Sequence, residues 1–490
     1  MAGVQAKRLD PEAAVAHAAG SWRLRPNIPP SVAHSPDVPL PPGWRRRSVG
    51  RLRHRSAGNR DRLKPLSARA EPGESAAFVG ATHARPVPAG GPPVKIENRI
   101  LFVDSDATAL RRIEVALAGD SYRWTFSLVT SAPAALNALS NHGFDLVVTE
   151  LRLPGMDGAE LLGKIQTMYP SVVRVMMAEA PEPNRLDQVL AVAQRFVAKP
   201  YDIPTLLAMI DSVLGAWSRA EDPLVRTIVG RLSSLPATAE THRQLTRLMN
   251  DPECTVDQIS TVVGQAPALA AKVLQVVNSA FFGLPFKVSS VAQAITYLGM
   301  THVRGLVLLS QFFNAADKSP TVNGFSASAL QNRALTTAKA ARVLAPAARF
   351  RDDAFTAGLL HDIGVLALAV GMNSRYSLVL RHAQRSQRPL AEVETSFLGI
   401  SHDIVGAYLA ELWGLPAVIV DGILHHHRLQ PAHGQNSEVI ESVRLAQQAT
   451  ACIEAGDHWF EGTQLSAAQV EALQQELELD TSRRPRLATT

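Results

Sequence analysis

The chain holds only two cysteines in 490 residues, Cys254 and Cys452, and their separation offers no metal-ligand spacing. This excludes a disulfide-built fold and predicts a reducing, cytoplasmic compartment. Long hydrophobic runs are missing as well. No stretch of 18 or more apolar residues is free of charge or histidine, and the nearest, Ala354 to Met372, contains His361 and Asp362. No membrane span is expected. Acidic residues are scarce in one region only. Residues 1–95 hold 6 Asp/Glu against 16 Lys/Arg, a net of +10, while the remainder holds 38 against 33, a net of −5. The basicity therefore belongs to the N-terminal segment. The mildly acidic remainder argues against a dedicated DNA-binding body. What is present is ordinary globular composition, 46% hydrophobic and 19% charged, over a length that suits two or three domains.

Residues 1–96 form the first segment. Fourteen of the 32 prolines fall within it, with runs such as Pro39–Pro42 and Trp44-Arg45-Arg46-Arg47, and no helical or strand period is sustained. It reads as a disordered, basic, proline-rich arm. It is no signal peptide, because no apolar region follows the arginines. Two roles stay open for it, an unstructured tail or an electrostatic tether to nucleic acid or an anionic surface.

Residues 97–217 alternate short apolar runs with helical periods. The runs are Ile100–Val103, Trp124–Val129, Leu146–Val148, Val172–Met177 and Phe196-Val197, and a helix is expected from Pro204 to Leu214. That alternation predicts an α/β fold, a doubly wound five-stranded parallel sheet, with Asp104, Glu150, Ala178 and Lys199 beyond the carboxyl ends of strands. Residues 223–432 read as helix after helix. Capping boxes at Thr255–Gln258, Ser290–Gln293 and Ser466–Gln469 each precede an apolar period. Residues 433–490 read as a C-terminal helical extension and tail. Val470, Leu473 and Leu477 share one face of a helix expected to pack on the body, and residues 481–490 are expected to fray.

Three segments carry a resemblance in the α/β block: Ile100-Leu-Phe-Val-Asp104, Asp145-Leu-Val-Val-Thr-Glu150-Leu-Arg-Leu-Pro-Gly-Met-Asp-Gly158, and Val197-Ala-Lys199-Pro200. The block resembles the response-regulator receiver (CheY-like) family over residues 98–216. The resemblance implies Mg²⁺ held by an acidic pair, a phosphorylated aspartate, and a hydroxyl and a lysine that read the phosphate. Carried over by position, Asp104 keeps the first acid and Ser105 replaces the second. Asp106 is expected to point elsewhere. Glu150 stands at the phosphoacceptor position, Ala178 at the hydroxyl position, and Lys199 is intact. A site for a hard cation weakens when a carboxylate is lost. An extra methylene displaces a nucleophile that must attack in line. The expectation is a pseudo-receiver that binds or dimerises, with Glu150 paired to Lys199 and Mg²⁺ binding not favoured.

The helical block resembles the HDOD domain, a relative of the HD metal-dependent phosphohydrolases, over residues 223–430. The motifs are Leu235-Pro236, Met249-Asn-Asp-Pro252, Pro267-Ala-Leu-Ala270, Val277-Asn278-Ser279-Ala-Phe-Phe-Gly283, Val288-Ser-Ser-Val291 through Gly299, and Ala357-Gly-Leu-Leu-His361-Asp362-Ile-Gly364. Ser401-His402-Asp403, Trp413-Gly-Leu-Pro416 and His425-His426-His427 complete them. Ala266 stands where an acid is common. The HD resemblance implies a metal held by an early His, the His-Asp pair and a distant Asp. Here Arg333 and Gln447 occupy the first and last of those positions, so the set is incomplete, and the Gly-Tyr-Pro signature of cyclic di-guanylate phosphodiesterases is absent. A guanidinium repels a metal, and a neutral amide replaces a carboxylate poorly. Two readings of the remainder stay open. One is a buried polar network of His361, Asp362, His402, His425 and His426. The other is a transition-metal or nucleotide pocket built from His361, Asp362, His402 and His425. His427, beside Arg428, reads as a solvated helix end. Asn278 and Ser279 are expected to close a helix.

The functional expectation is a bacterial two-component signalling protein in which a degenerate receiver controls or docks a non-catalytic HDOD output domain. It meets protein partners through the HDOD domain, and a homodimer through the receiver-like domain is possible in this reading. The alternatives are a metal-dependent HD-type phosphohydrolase and nucleic-acid binding through the arm.

Overall fold

Short runs rich in apolar and β-branched residues pair in parallel when both faces of a sheet are covered. In the computed structural model five such runs form one sheet of order β2-β1-β3-β4-β5: β1 Asn98–Val103, β2 Trp124–Val129, β3 Leu146–Glu150, β4 Val173–Ala178 and β5 Arg195–Ala198. Every pairing is parallel. The structure describes residues 98–479 apart from 119–123, 180–188, 190, 220–221, 233–234, 236–237, 250, 252, 280–283, 285, 300–321, 429–431, 459 and 461. The basic arm and residues 481–490 lie outside the described residues.

Helices Ala107–Ala118, Ala132–Asn141 and Gly158–Met168 connect the strands, and Ile203–Arg219 follows the last. Ser131 and Asp157 cap two of them, accepting from the N–H groups of Ala134 and Glu160. The last helix runs five residues beyond the Leu214 expected from sequence, and its continuation remains apolar through the buried Ala216. The strand order reverses between β1 and β3, so a crevice opens beyond their carboxyl ends. Asp104 and Glu150 stand at that crevice.

Beyond Arg219 the described residues contain helices and no strand. Two of the three expected capping boxes close in both directions, at Thr255 with Gln258 and at Ser466 with Gln469. At Ser290 the hydroxyl accepts from the Gln293 N–H at 3.5 Å. The core is the helix pair Arg351–Leu360 and Ile363–Met372, broken at His361-Asp362. The run Ala348–Met372 is long and apolar enough to cross a membrane by length and composition, yet 78% of its most apolar window is buried inside the protein. Helices Ala327–Leu344, His402–Leu412, Ala417–His425 and Ser437–Glu454 pack around it.

Close approach of these helices brings the polar residues together. A Cβ on Gly364 would lie 1.9 Å from the His402 carbonyl oxygen, and one on Gly422 would lie 2.7 Å from the Ala357 side chain. Helix Ser437–Glu454 is bound to Ala327–Leu344 by a 3.0 Å hydroxyl contact between Thr337 and Thr450. Helix Ala467–Glu476 docks through buried Leu473 and a 2.7 Å ion pair between Arg342 and Glu476. Gly364→Ala forces a backbone clash in a packed core, which costs about 3 kcal/mol. A urea unfolding curve is expected to shift its midpoint down accordingly. An unchanged midpoint would contradict the packing described.

Candidate functional site

The sheet crevice gathers Asp104, Ser105, Glu150 and Lys199. Asp104 is fully buried at the end of β1. Lys199 Nζ donates to Asp104 Oδ2 and to Glu150 Oε1, both at 2.8 Å. Ser105 Oγ donates to the other Glu150 oxygen, Oε2, at 2.9 Å. Asp106 points away, as expected: its Oδ1 accepts from Thr108 N–H and starts the following helix. Burial raises the Asp104 pKa against the opposing pull of Lys199. For Glu150, burial also works upward, but the hydrogen bonds from Lys199 and Ser105 outweigh it and leave the carboxyl below its usual range. Lys199 is pulled down by burial and pushed up further by its two carboxylates, so it stays protonated. Ala178 is buried at the end of β4 and supplies no hydroxyl. Glu150 thus spends both oxygens on fixed donors, one of them a cation from its own chain.

The second cluster forms where the core helix pair breaks. Asp362 lies 3.1 Å from His361 Nε2, 3.3 Å from both Arg333 Nε and His402 Nε2, and 3.6 Å from His426 Nε2. Arg333 also binds Glu454 at 2.9 Å. His402 Nδ1 lies 2.6 Å from Glu394 Oε2, which also accepts the His402 main-chain N–H at 2.8 Å. Tyr376 donates its hydroxyl to the other Glu394 oxygen. Burial pushes the Asp362 pKa up, but the surrounding histidines hold it well below the usual carboxylate range. Burial lowers the His402 pKa, whereas Glu394 and Asp362 raise it well above the usual imidazole value. His426 and His427 are driven down, first by burial. Asp362 and His402 therefore carry opposite charges at the centre of the cluster, while His426 and His427 are held toward the neutral form.

One residue changes place relative to the sequence reading. His425 is half-buried, makes no ring contact with the cluster, and answers to Asp421, Asp403 and Arg428. His427, expected at a solvated helix end, is turned inward instead. Its Nε2 lies 2.8 Å from His402 Nε2, and its Nδ1 lies 3.3 Å from Gln447 Nε2. The helix ends at His425, and the turn that follows rotates His427 rather than His425 toward Asp362. Arg333 and Gln447 both reach the cluster, Arg333 at Asp362 and Gln447 at His427. Glu394, Tyr376 and Glu454 were not anticipated. Of the two glutamates that flank Val393, Glu394 is the one turned inward, and nothing in the sequence distinguished it from the exposed Glu392. Asn278 closes its helix as expected, exchanging two hydrogen bonds with the Val288 backbone.

A narrow cavity of about 20 Å³ reaches Asp362 from the side of Thr238, Ala266, Pro267, Gln331 and Leu359. No lysine or arginine lines it.

A parallel sheet of this order, joined to a helical body with a His-Asp pair at its core, defines a receiver-type fold followed by an HD-related one. Residues 100–211 match the response regulator receiver domain and residues 235–429 match the HDOD domain. The chain is accordingly a receiver–HDOD protein, a response-regulator-like member of bacterial signal transduction. It is 26% identical over 263 residues to an uncharacterized protein of Treponema pallidum, covering 53% of this chain and 50% of that one. It is 29% identical over 142 residues to the transcriptional regulatory protein FixJ of Bradyrhizobium diazoefficiens, covering 28% of this chain and 68% of that one. The MmoQ response regulator of Methylococcus capsulatus is 26% identical, with 51% of this chain and 95% of that one covered and a TM-score of 0.41. The chain thus spans half the length of the Treponema protein.

His402 carries a testable sign. Its folded pKa is raised, so the stability it contributes is complete below the ordinary histidine value and is lost as pH rises through the elevated folded value. Imidazole nitrogen shifts measured by NMR at pH 8 are expected to report a doubly protonated His402 ring while His426 is neutral. A neutral His402 ring at that pH would contradict the charge assignment.

Proposed function

We propose that the chain is a non-catalytic signalling adaptor. A receiver-like domain, residues 97–217, sets the state of an HDOD domain, residues 223–432, whose surface meets protein partners. The observation that carries this reading is the ion pairing of Lys199 with Asp104 and Glu150 at 2.8 Å each. The groups that would bind Mg²⁺ and accept a phosphoryl group are already engaged by a tethered cation, which supplies part of the charge balance of a phosphorylated site. Replacement of the second acid by Ser105 and of the hydroxyl by Ala178 acts in the same direction. Dimerisation through the receiver-like domain, a cytoplasmic location and an electrostatic role for residues 1–96 belong to the same proposal.

The helical cluster supports an output domain without catalysis. A hydrolytic metal centre needs deprotonated ligands around an open coordination position. Here Arg333 stands beside Asp362, His402 is charged, and Gln447 offers an amide. This donor set does not fit that centre, and no chemical step is assigned to it. The cluster acts instead as a polar keystone between helices.

One observation favours a second reading, an HD-type metal hydrolase. The Nε2 atoms of His361 and His426 are buried with no hydrogen-bond partner and face Asp362. Their Nδ1 atoms are held by the carbonyls of Gly358 and Ile423 at 2.7 and 2.6 Å, which is how outer partners orient metal-binding imidazoles. Ligand atoms of His402, His426 and His427 also lie within 4.8 Å of one another.

Incubation of the full chain with acetyl phosphate and Mg²⁺, read by intact mass, tests the adaptor reading. No phosphorylated species is expected from the natural sequence. The triple variant Ser105→Asp, Glu150→Asp, Ala178→Thr is expected to gain one phosphoryl group. Stable phosphorylation of the natural chain at Glu150 would overturn the reading.

A further inference from the structure

Two arginines on the receiver sheet make hydrogen bonds of an unusual kind. Arg174, in β4, is 1% exposed. Its guanidinium donates to three carbonyl oxygens: Val192 at 2.7 Å, Val172 at 3.3 Å and Gly230 at 2.9 Å. Arg195, which opens β5, donates from Nη2 to Ser212 Oγ at 3.0 Å and to the Glu411 carbonyl at 3.2 Å. Neither guanidinium has a carboxylate partner among the described residues. Burial lowers both pKa values to about 10, so both remain cations at neutral pH.

The carbonyls they reach across the domain junction share a position. Gly230 is the penultimate residue of helix Pro223–Arg231, and Glu411 is the penultimate residue of helix His402–Leu412. Carbonyls in the last turn of a helix carry the negative end of the helix dipole, and the Glu411 carbonyl accepts the Gly414 N–H at 2.9 Å beside Arg195. Each arginine is thus a cation supplied by one domain to a helix end of the other. The contacts are tight. A Cβ on Gly230 would lie 1.5 Å from the Pro170 carbonyl oxygen, and one on Gly414 would lie 2.0 Å from Arg195 Nη1. Gln275 adds a third tie, donating to the Gln194 carbonyl at 3.2 Å. Arg174 lies on the strand that ends at Ala178, and Arg195 on the strand that leads to Lys199.

We propose that Arg174 and Arg195 form a two-point clasp in which the receiver sheet caps the C-terminal ends of helices Pro223–Arg231 and His402–Leu412. The clasp makes the two domains one cooperative unit. It also puts the helix-end contacts on β4 and β5, the strands that end at Ala178 and lead to Lys199. This inference does not depend on whether Glu150 accepts phosphate or whether Asp362 binds metal.

Hydrogen exchange by mass spectrometry on the full chain tests it. In the double variant Arg174→Met, Arg195→Met, amides at Leu232, Trp413 and Gly414 are expected to exchange at least about tenfold faster, with β1 and β3 little changed. Gly230→Ala, which pushes the same helix end away from Pro170 and moves the carbonyl that accepts from Arg174, is expected to loosen Leu232 as well. Unchanged exchange at these amides, or equal acceleration throughout the chain, would overturn the clasp. The natural chain supplies an arm that needs no variant. In increasing urea, amides of β4 and of helix His402–Leu412 are expected to lose protection in a single transition, and two separate transitions would overturn it.

Discussion

A carboxylate taken out of water keeps its charge only where cations or donors are fixed beside it. Both domains meet that demand with side chains of the chain itself. In the receiver-like domain Lys199 spans Asp104 and Glu150. In the helical domain Arg333 spans Asp362 and Glu454, and His402 lies between Asp362 and Glu394. An exchangeable cation would have to displace these residents or share their carboxylates. That constraint is shared by the two clusters, at Lys199 and at Arg333, although they lie in unrelated folds.

The helical cluster is also part of the core. His361-Asp362 stands between helix Arg351–Leu360 and the apolar helix Ile363–Met372, and Gly364 permits His402 to approach within van der Waals contact of the break. Removing one member of such a network leaves its partners buried and unpaired, which costs about 3–5 kcal/mol for an ion pair. The buried histidines therefore have a structural role independent of catalysis.

Much of the architecture was legible in the residues. Apolar runs at Ile100, Leu146 and Val173 could only be buried parallel strands, and the positions of Arg333 and Gln447 in the cluster followed from motif order. Other features were not legible, for physical reasons. Helical phase places His425 in the cluster only if the helix continues, but it stops there and the turn carries His427 inward. Glu394 belongs to a separate helix whose crossing angle no local pattern encodes. Arg174 and Arg195 look like ordinary strand-end surface charges. Their enclosure arises from Gly230 and Glu411, 56 and 216 residues further along.

The central claim is that tethered cations occupy the sites where metals act in related folds. Thermal melting of the full chain in EDTA, in millimolar Mg²⁺ and in Mn²⁺ tests it directly, because any ligand that binds the folded state raises its stability by mass action. The account predicts midpoints within about 1 °C of one another, since binding at a hundred times Kd would add about 2.7 kcal/mol. A metal-dependent rise of several degrees, abolished by His361→Ala or by Asp104→Ala, would contradict it.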